Sequence, residues 1–340
     1  MDHYSFSDRQ EPSIQTDEHS DFNPFYGTPK PSFSRVKQVW AVGGGKGGVG
    51  KSMLSSSLAV SLAKTGNKVA ALDLDLGAAN LHTLLGIDLP KLSLSDFFNG
   101  RQTHLNECLV KTGIPNLEII SGAQDAVHVA NLEDSKKQNL VNQIRQIDAD
   151  YVVLDLGAGT TFHTLDFFVC ADVGIVCLLP EPTSIENAYR FIKSSYYRRL
   201  LMSPHLKDIT PLVQMAMESN PNGMIRTPSD LFREVSKKNP EAATRLKEEI
   251  ERFTPKLIVN QSRTQSDIDI GFSIKSVCKK YFGIDLDYVG YLDHDNTVWQ
   301  AIRKKKPLVT EFPHSRLVAS IERMTHYLLN NRRQVPSFLA

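Results

Sequence analysis

With 340 residues, 41% hydrophobic and 23% charged, the chain has the make-up of a soluble globular protein of one large or two smaller domains. A formal net charge of +1 excludes a global pull toward nucleic acid or anionic membrane, so any such affinity has to come from a local patch. Four scattered cysteines (Cys108, Cys170, Cys177, Cys278) form no C-x-x-C pair, which argues against a zinc or iron–sulfur site. No apolar run is long enough to span a bilayer and no signal peptide opens the chain, so the expected location is the cytoplasm.

Residues 1–35 are rich in Ser, Pro, Asp and Gln, have no helical or strand period, and read as a disordered leader. Its aromatics (Tyr4, Phe6, Phe22, Phe25, Tyr26, Phe33) are candidate anchors for a partner, although a solvated leader is the simpler reading. From Val36 the pattern changes. "VKQVWAVGG" is a strand ending in glycine, "SMLSSSLAVSLAKTG" a helix stopping at Gly66, and "KVAALDLDL" the next strand. "LEIISG", "ADYVVLDLGAG", "VGIVCLLP", "PKLIVNQS" and "LDYVGYLD" are further apolar runs. Apolar strands without polar alternation, separated by helices, predict a single doubly wound α/β domain over 36–329, with a mostly parallel sheet covered on both faces. Ligands of such sheets bind at the carboxyl ends of the strands. Residues from about 195 to 255 hold more helix than one crossover needs, which predicts a helical insertion, and 330–340 form a short tail.

Gly45 to Ser52 matches G-x-x-x-x-G-K-[ST], with a strand before it and a helix after it. Glycines let backbone N–H groups converge on phosphates, and the helix N-terminus adds its positive end. Gly45, Gly47, Gly48, Val49, Gly50, Lys51, Ser52 and Met53 are therefore the candidate nucleotide-binding residues. Lys51 is suited to the β- and γ-phosphates and the Ser52 hydroxyl to Mg²⁺. Asp73, Asp75 and Asp155 stand at or just past the ends of two apolar strands, where carboxylates would hold Mg²⁺ or its water.

A second lysine, Lys46, opens the loop. The run K-G-G-V-G-K-S (Lys46 to Ser52) resembles the deviant Walker A motif of the MinD/ParA superfamily. The resemblance implies an ATP- and Mg²⁺-dependent P-loop ATPase that forms a homodimer around two nucleotides, with Lys46 reaching the partner's phosphates. It also implies that Asp75 positions the attacking water, that Asp73 supports the Mg²⁺ shell, and that Asp155 is the Walker B acid. "DLDLGAANLHTLLG" is similar to switch I and "DLGAG" to switch II of that family. "LIVNQ" places Asn260 where the family reads the adenine edge.

The closing stretch "YVGYLDHDNTVWQAIRKKKPLV" looks most like the FlhG/FleN branch of flagellar number and placement regulators, then like MinD. Departures exist: "DRQEPSIQ" is not that branch's D-Q-A-x-x-L-R opening, and His82 stands where relatives carry Asp. The resemblance implies a regulatory protein partner and a cytoplasmic protein able to visit the pole or inner membrane. Weak membrane association would run through the stripe Leu317, Ile321, Met324 and Leu328, which reads first as a core-facing helix. DNA contact through Arg303–Lys306, as in ParA-type segregation ATPases, is the less favoured alternative, and a nucleotide-ordered interaction protein without turnover is a third.

Overall fold

The computed structural model describes residues 37–75, 79–122, 134–217, 225 and 227–330. The leader 1–35, residues 76–78 of the switch I stretch and the tail from 331 lie outside them, whereas Asn330 closes the last helix.

Eight strands form one sheet: β1 (Gln38–Gly43), β2 (Val69–Leu74), β3 (Val110–Lys111), β4 (Leu117–Ile120), β5 (Tyr151–Leu156), β6 (Val173–Leu178), β7 (Lys256–Ser262) and β8 (Asp287–Asp293). Their order is β3-β4-β2-β5-β1-β6-β7-β8. Every pairing is parallel except β3 on β4. Strands β2 and β5 are buried over all six residues, as expected where helices cover both faces. The edge strand β3 went unanticipated, because two residues carry no periodicity.

The helices are α1 (Lys51–Lys64), α2 (Leu81–Leu84), α3 (Leu94–Phe98), α4 (Asp134–Ile144), α5 (Phe162–Cys170), α6 (Pro182–Met202), α7 (Thr210–Met217), α8 (Pro228–Lys238), α9 (Pro240–Arg252), α10 (Gln265–Val277), α11 (Asn296–Arg303), α12 (Leu308–Glu311) and α13 (Arg316–Asn330). On one face α1 is buried almost throughout, sandwiched between the sheet and α13. Most of its serines find partners close by: the Ser56 hydroxyl donates to the Met53 carbonyl and the Ser55 hydroxyl reaches both the Lys51 carbonyl and Asp155, while the Ser61 hydroxyl is buried without a hydrogen-bond partner. The stripe Leu317, Ile321, Met324 and Leu328 is at most 6% exposed and belongs to this layer. No helix among the described residues is long and apolar enough to cross a membrane.

The other face carries α4, α5 and α6, pinned by ion pairs that are desolvated and therefore costly to break singly. Asp166, fully buried, accepts from Lys137 at 2.6 Å and from the Arg198 guanidinium. Beyond α6 the chain runs through a 3₁₀ turn at 204–209 into α7, α8 and α9 before it reaches β7. Thr227 and Asp230 form a reciprocal capping box, and Asn239 Oδ1 accepts the Ala242 N–H at 3.0 Å. Each cap stabilises its helix by about 1 kcal/mol. Val213, Leu231, Val235, Ala242 and Leu246 extend the core of this face into the added layer.

Candidate functional site

The carboxyl ends of β1, β2, β5 and β7 converge on the loop between β1 and α1. Two of its glycines are required by what lies against them. A Cβ on Gly45 would sit 2.1 Å from the Asn187 carbonyl of α6. Gly50 has φ +94° and would place a Cβ 2.2 Å from Asn260 Nδ2. The loop is thus clamped from two sides by contacts within the chain. Lys51 begins α1, is only 7% exposed, and donates to the loop's own Lys46 carbonyl at 3.2 Å.

Asp73 and Asp155 are register partners on the neighbouring strands β2 and β5, and both are almost completely buried. Burial pushes the Asp73 carboxyl up to about 8, with the charge of Asp155 adding to it and hydrogen bonds from the Leu81 and Asp75 N–H groups opposing it. These bonds are 2.9 and 3.1 Å long, so Asp73 also closes the loop that leads into α2. Burial raises Asp155 to about 6, against the pull of the Ser52 and Ser55 hydroxyls and Lys51. The Ser55 Oγ lies 2.9 Å from Asp155 Oδ1. Two facing carboxylates beside a serine hydroxyl and a lysine form a hard-oxygen donor set whose repulsion a divalent cation would relieve, which fits Mg²⁺. Asp75 lies just past β2, partly exposed, with its carboxylate against Gly157 of the "DLGAG" stretch.

Asn260 sits under the loop. It is 2% exposed, its Nδ2 donates to the Val49 carbonyl at 2.8 Å, and its Oδ1 accepts the Gln261 N–H at 2.9 Å. The resemblance implies an adenine reader; in the structure one end of the amide braces the loop through Val49 and the other accepts from the next residue of its own strand. Two residues at the rim were not picked out from sequence. Lys46 Nζ donates to Glu181 Oε2 at 3.0 Å and to Thr183 Oγ1 at 3.1 Å, at the start of α6. The signal available was weak: an acid and a hydroxyl just after an apolar strand, at the end where every other candidate sits. In the basic run, Lys304 and Lys306 pair with Glu311 and Arg303 lies over the Trp299 ring.

A family model described as "ParA: NUBPL iron-transfer P-loop NTPase" matches residues 35–195. The antiactivator FleN of Pseudomonas aeruginosa is 29% identical over 282 residues, covering 82% of this chain and 81% of FleN. The flagellum site-determining protein YlxH of Helicobacter pylori is 33% identical over 45% of this chain and 52% of its own length. Among solved structures, MinD of Pyrococcus horikoshii complexed with Mg-ADP superposes with a TM-score of 0.59 at 19% identity, covering 86% of this chain and 95% of that one. The fold is therefore that of MinD, while residue roles have to be argued from this chain's own geometry. With the loop, the strand-end acids and these relatives together, the chain is similar to the ParA/MinD family of P-loop NTPases and shares their fold.

Proposed function

We propose that this chain is an ATP-hydrolysing switch that pairs with a second copy around two nucleotides and, when paired, acts on a protein partner that sets where or how many flagella are built. The observation that carries this is the meeting, at one end of the sheet, of a phosphate loop with a buried lysine, two facing carboxylates, and a second lysine held outward at the loop's rim. The flagellar assignment draws on the likeness to FleN and YlxH, whose names concern flagellar regulation and placement. The proposed setting is the cytoplasm, with transient visits to the pole or inner membrane.

In this reading Gly45, Gly47, Gly48, Val49, Gly50 and Met53 line the phosphates. Lys51 leaves the Lys46 carbonyl for the β- and γ-phosphates. Ser52, Asp155 and Asp73 hold the metal, directly or through water. Bound Mg²⁺ supplies charge neutralisation between the phosphates. Asp75 orients the attacking water, and Lys46 exchanges Glu181 for the partner copy's phosphates, where a cation stabilises developing charge by several kcal/mol. Asn260 keeps the loop in shape from below, with base contact as a secondary role.

Steady-state ATP turnover and molar mass by light scattering test the proposal. The wild type should turn over slowly and shift from monomer to dimer with ATP·Mg²⁺; a chain that neither binds ATP nor changes mass refutes it. Lys46→Ala should lower ATP-dependent dimer by at least about tenfold, the usual scale for one charge-assisted contact. Asp75→Ala should accumulate dimer and stop hydrolysis; a monomer with ATP would remove Asp75 from its assigned role.

A further inference from the structure

The corner formed by α11, α12 and the loop after α2 has no part in the proposed catalysis, yet it sets exposed apolar side chains beside a basic run. Only Ala301 of α11 is buried. Trp299 is 59% exposed, Ile302 44%, and Leu89 on the neighbouring loop 65%. That loop is held against 305–307: a Cβ on Gly86 would come within 3.3 Å of both the Lys305 carbonyl and Pro307. The Arg303 guanidinium lies 4.7 Å from the Trp299 ring centre, and Lys305 projects from a left-handed turn of φ 50°. Lys304 and Lys306 share the single carboxylate of Glu311, so the run from Arg303 to Lys306 keeps a net positive charge beside the aromatic step. A net charge of about three falls short of the clusters of about four to eight basic residues that hold a lipid surface, where each adds about 1 kcal/mol. That charge suits a short acidic segment that also carries aromatic side chains.

The chain contains such a segment. From Asp2 to Tyr26 it has six acids against one arginine and no lysine, and within it "DEHSDFNPFY" sets Asp17, Glu18 and Asp21 just ahead of Phe22, Phe25 and Tyr26. Acid followed by aromatic complements cation followed by Trp and Ile. The fifteen residues from 22 to 36 reach about 50 Å when extended, against a radius of gyration of about 19 Å for a domain of this size. We infer that the acidic–aromatic N-terminal segment docks in cis on the Trp299–Ile302–Arg303–Lys305 surface. Tethering raises the local concentration to about the millimolar range, so contacts too weak to hold a free peptide suffice. The docked segment lies beside α2, which packs on α11 and whose Leu81 N–H is held by Asp73. The tail therefore sits one helix away from the nucleotide site, where it is placed to oppose or report the ATP-bound state.

The chain has two tryptophans, and Trp40 is wholly buried, so acrylamide quenching of the full-length protein reads Trp299. In the variant Asp17→Asn/Glu18→Gln/Asp21→Asn the Stern–Volmer constant should rise about twofold, as for a tethered contact made most of the time. It should rise equally in about 0.5 M NaCl, where the Debye length is about 4 Å. A benzoylphenylalanine photo-crosslinker in place of Leu89 should join residues 2–26 of the same chain, and Arg303→Glu/Lys305→Glu should remove that product. Unchanged quenching, absence of the crosslink, or a crosslink formed only between copies overturns the inference. So does protection of Trp299 by anionic vesicles or duplex DNA to the same degree with and without the tail acids.

Discussion

The floor and the rim of the nucleotide site are built on opposite terms. On the floor, glycines lie against the Asn187 carbonyl and the Asn260 amide, Lys51 is buried, and Asp73 and Asp155 face each other out of water. On the rim, Lys46 and Glu181 are 36% and 53% exposed and joined by a pair of the kind that contributes at most about 1 kcal/mol. A phosphate cradle must be preorganised, because rearranging it on binding would cost affinity. A group that has to leave its own subunit's surface must be held weakly. The difference in burial separates what recognises the nucleotide from what answers to it.

The largest break is on the floor. Gly45→Ala drives a methyl into the Asn187 carbonyl at 2.1 Å, and neither the loop nor α6 can yield without disturbing the other. Overpacking of this kind costs about 1–3 kcal/mol. Nucleotide affinity, read by fluorescent ATP analogue titration, should be lost while circular dichroism stays native. Wild-type affinity in the variant would mean that the clamp is looser than the contacts indicate.

A subtler test uses pH. Asp73 is held up to about 8, first by burial and then by the facing Asp155. The ligand-free folded chain therefore binds more protons than the unfolded one between about pH 4 and 8, so this group's stabilisation is complete below the unfolded value and lost as pH rises through the folded one. Asp155, raised to about 6, acts in the same direction over a narrower window. In metal-free buffer the wild-type melting temperature should fall from pH 5 to pH 8, and Asp73→Asn should flatten that slope whatever it does to the absolute value. A slope unchanged by Asp73→Asn would show that the two acids do not oppose each other.

The same contrast explains what could be read from the sequence. Gly45–Ser52 was legible because phosphate binding demands backbone that only glycine allows, followed by a helix N-terminus; the demand is local and so leaves a local pattern. Asp73 and Asp155 were legible because an acid closing an apolar strand is conspicuous. That they face each other in register follows from β2 pairing with β5, a long-range fact that no local pattern encodes. Asn260 was located but its contacts were not: whether an amide at the end of β7 looks toward a base or under the loop depends on β7 lying two strands away from β1. Glu181 and Thr183 were missed for the same reason, being 135 and 137 residues from Lys46. The strand β3 was too short to leave any period.

The smallest effect on stability sharpens the comparison most. Glu181→Ala removes an exposed ion pair, so unfolding should change by less than about 1 kcal/mol. If that pair is the resting place of Lys46, its loss frees the lysine at no cost to the loop. ATP-dependent dimerisation should then tighten by about two- to fivefold, the mass-action equivalent of one weak surface pair. Thr183→Val should act in the same direction and less, since it removes the ammonium's hydrogen bond to a neutral hydroxyl and leaves the carboxylate in place. Sedimentation equilibrium with ATP·Mg²⁺ at low salt reads both. A weaker dimer in Glu181→Ala would reverse the assignment, making Glu181 part of the paired state. An unchanged dimer would leave Lys46 free to cross without a latch, and the rim would then differ from the floor in exposure alone.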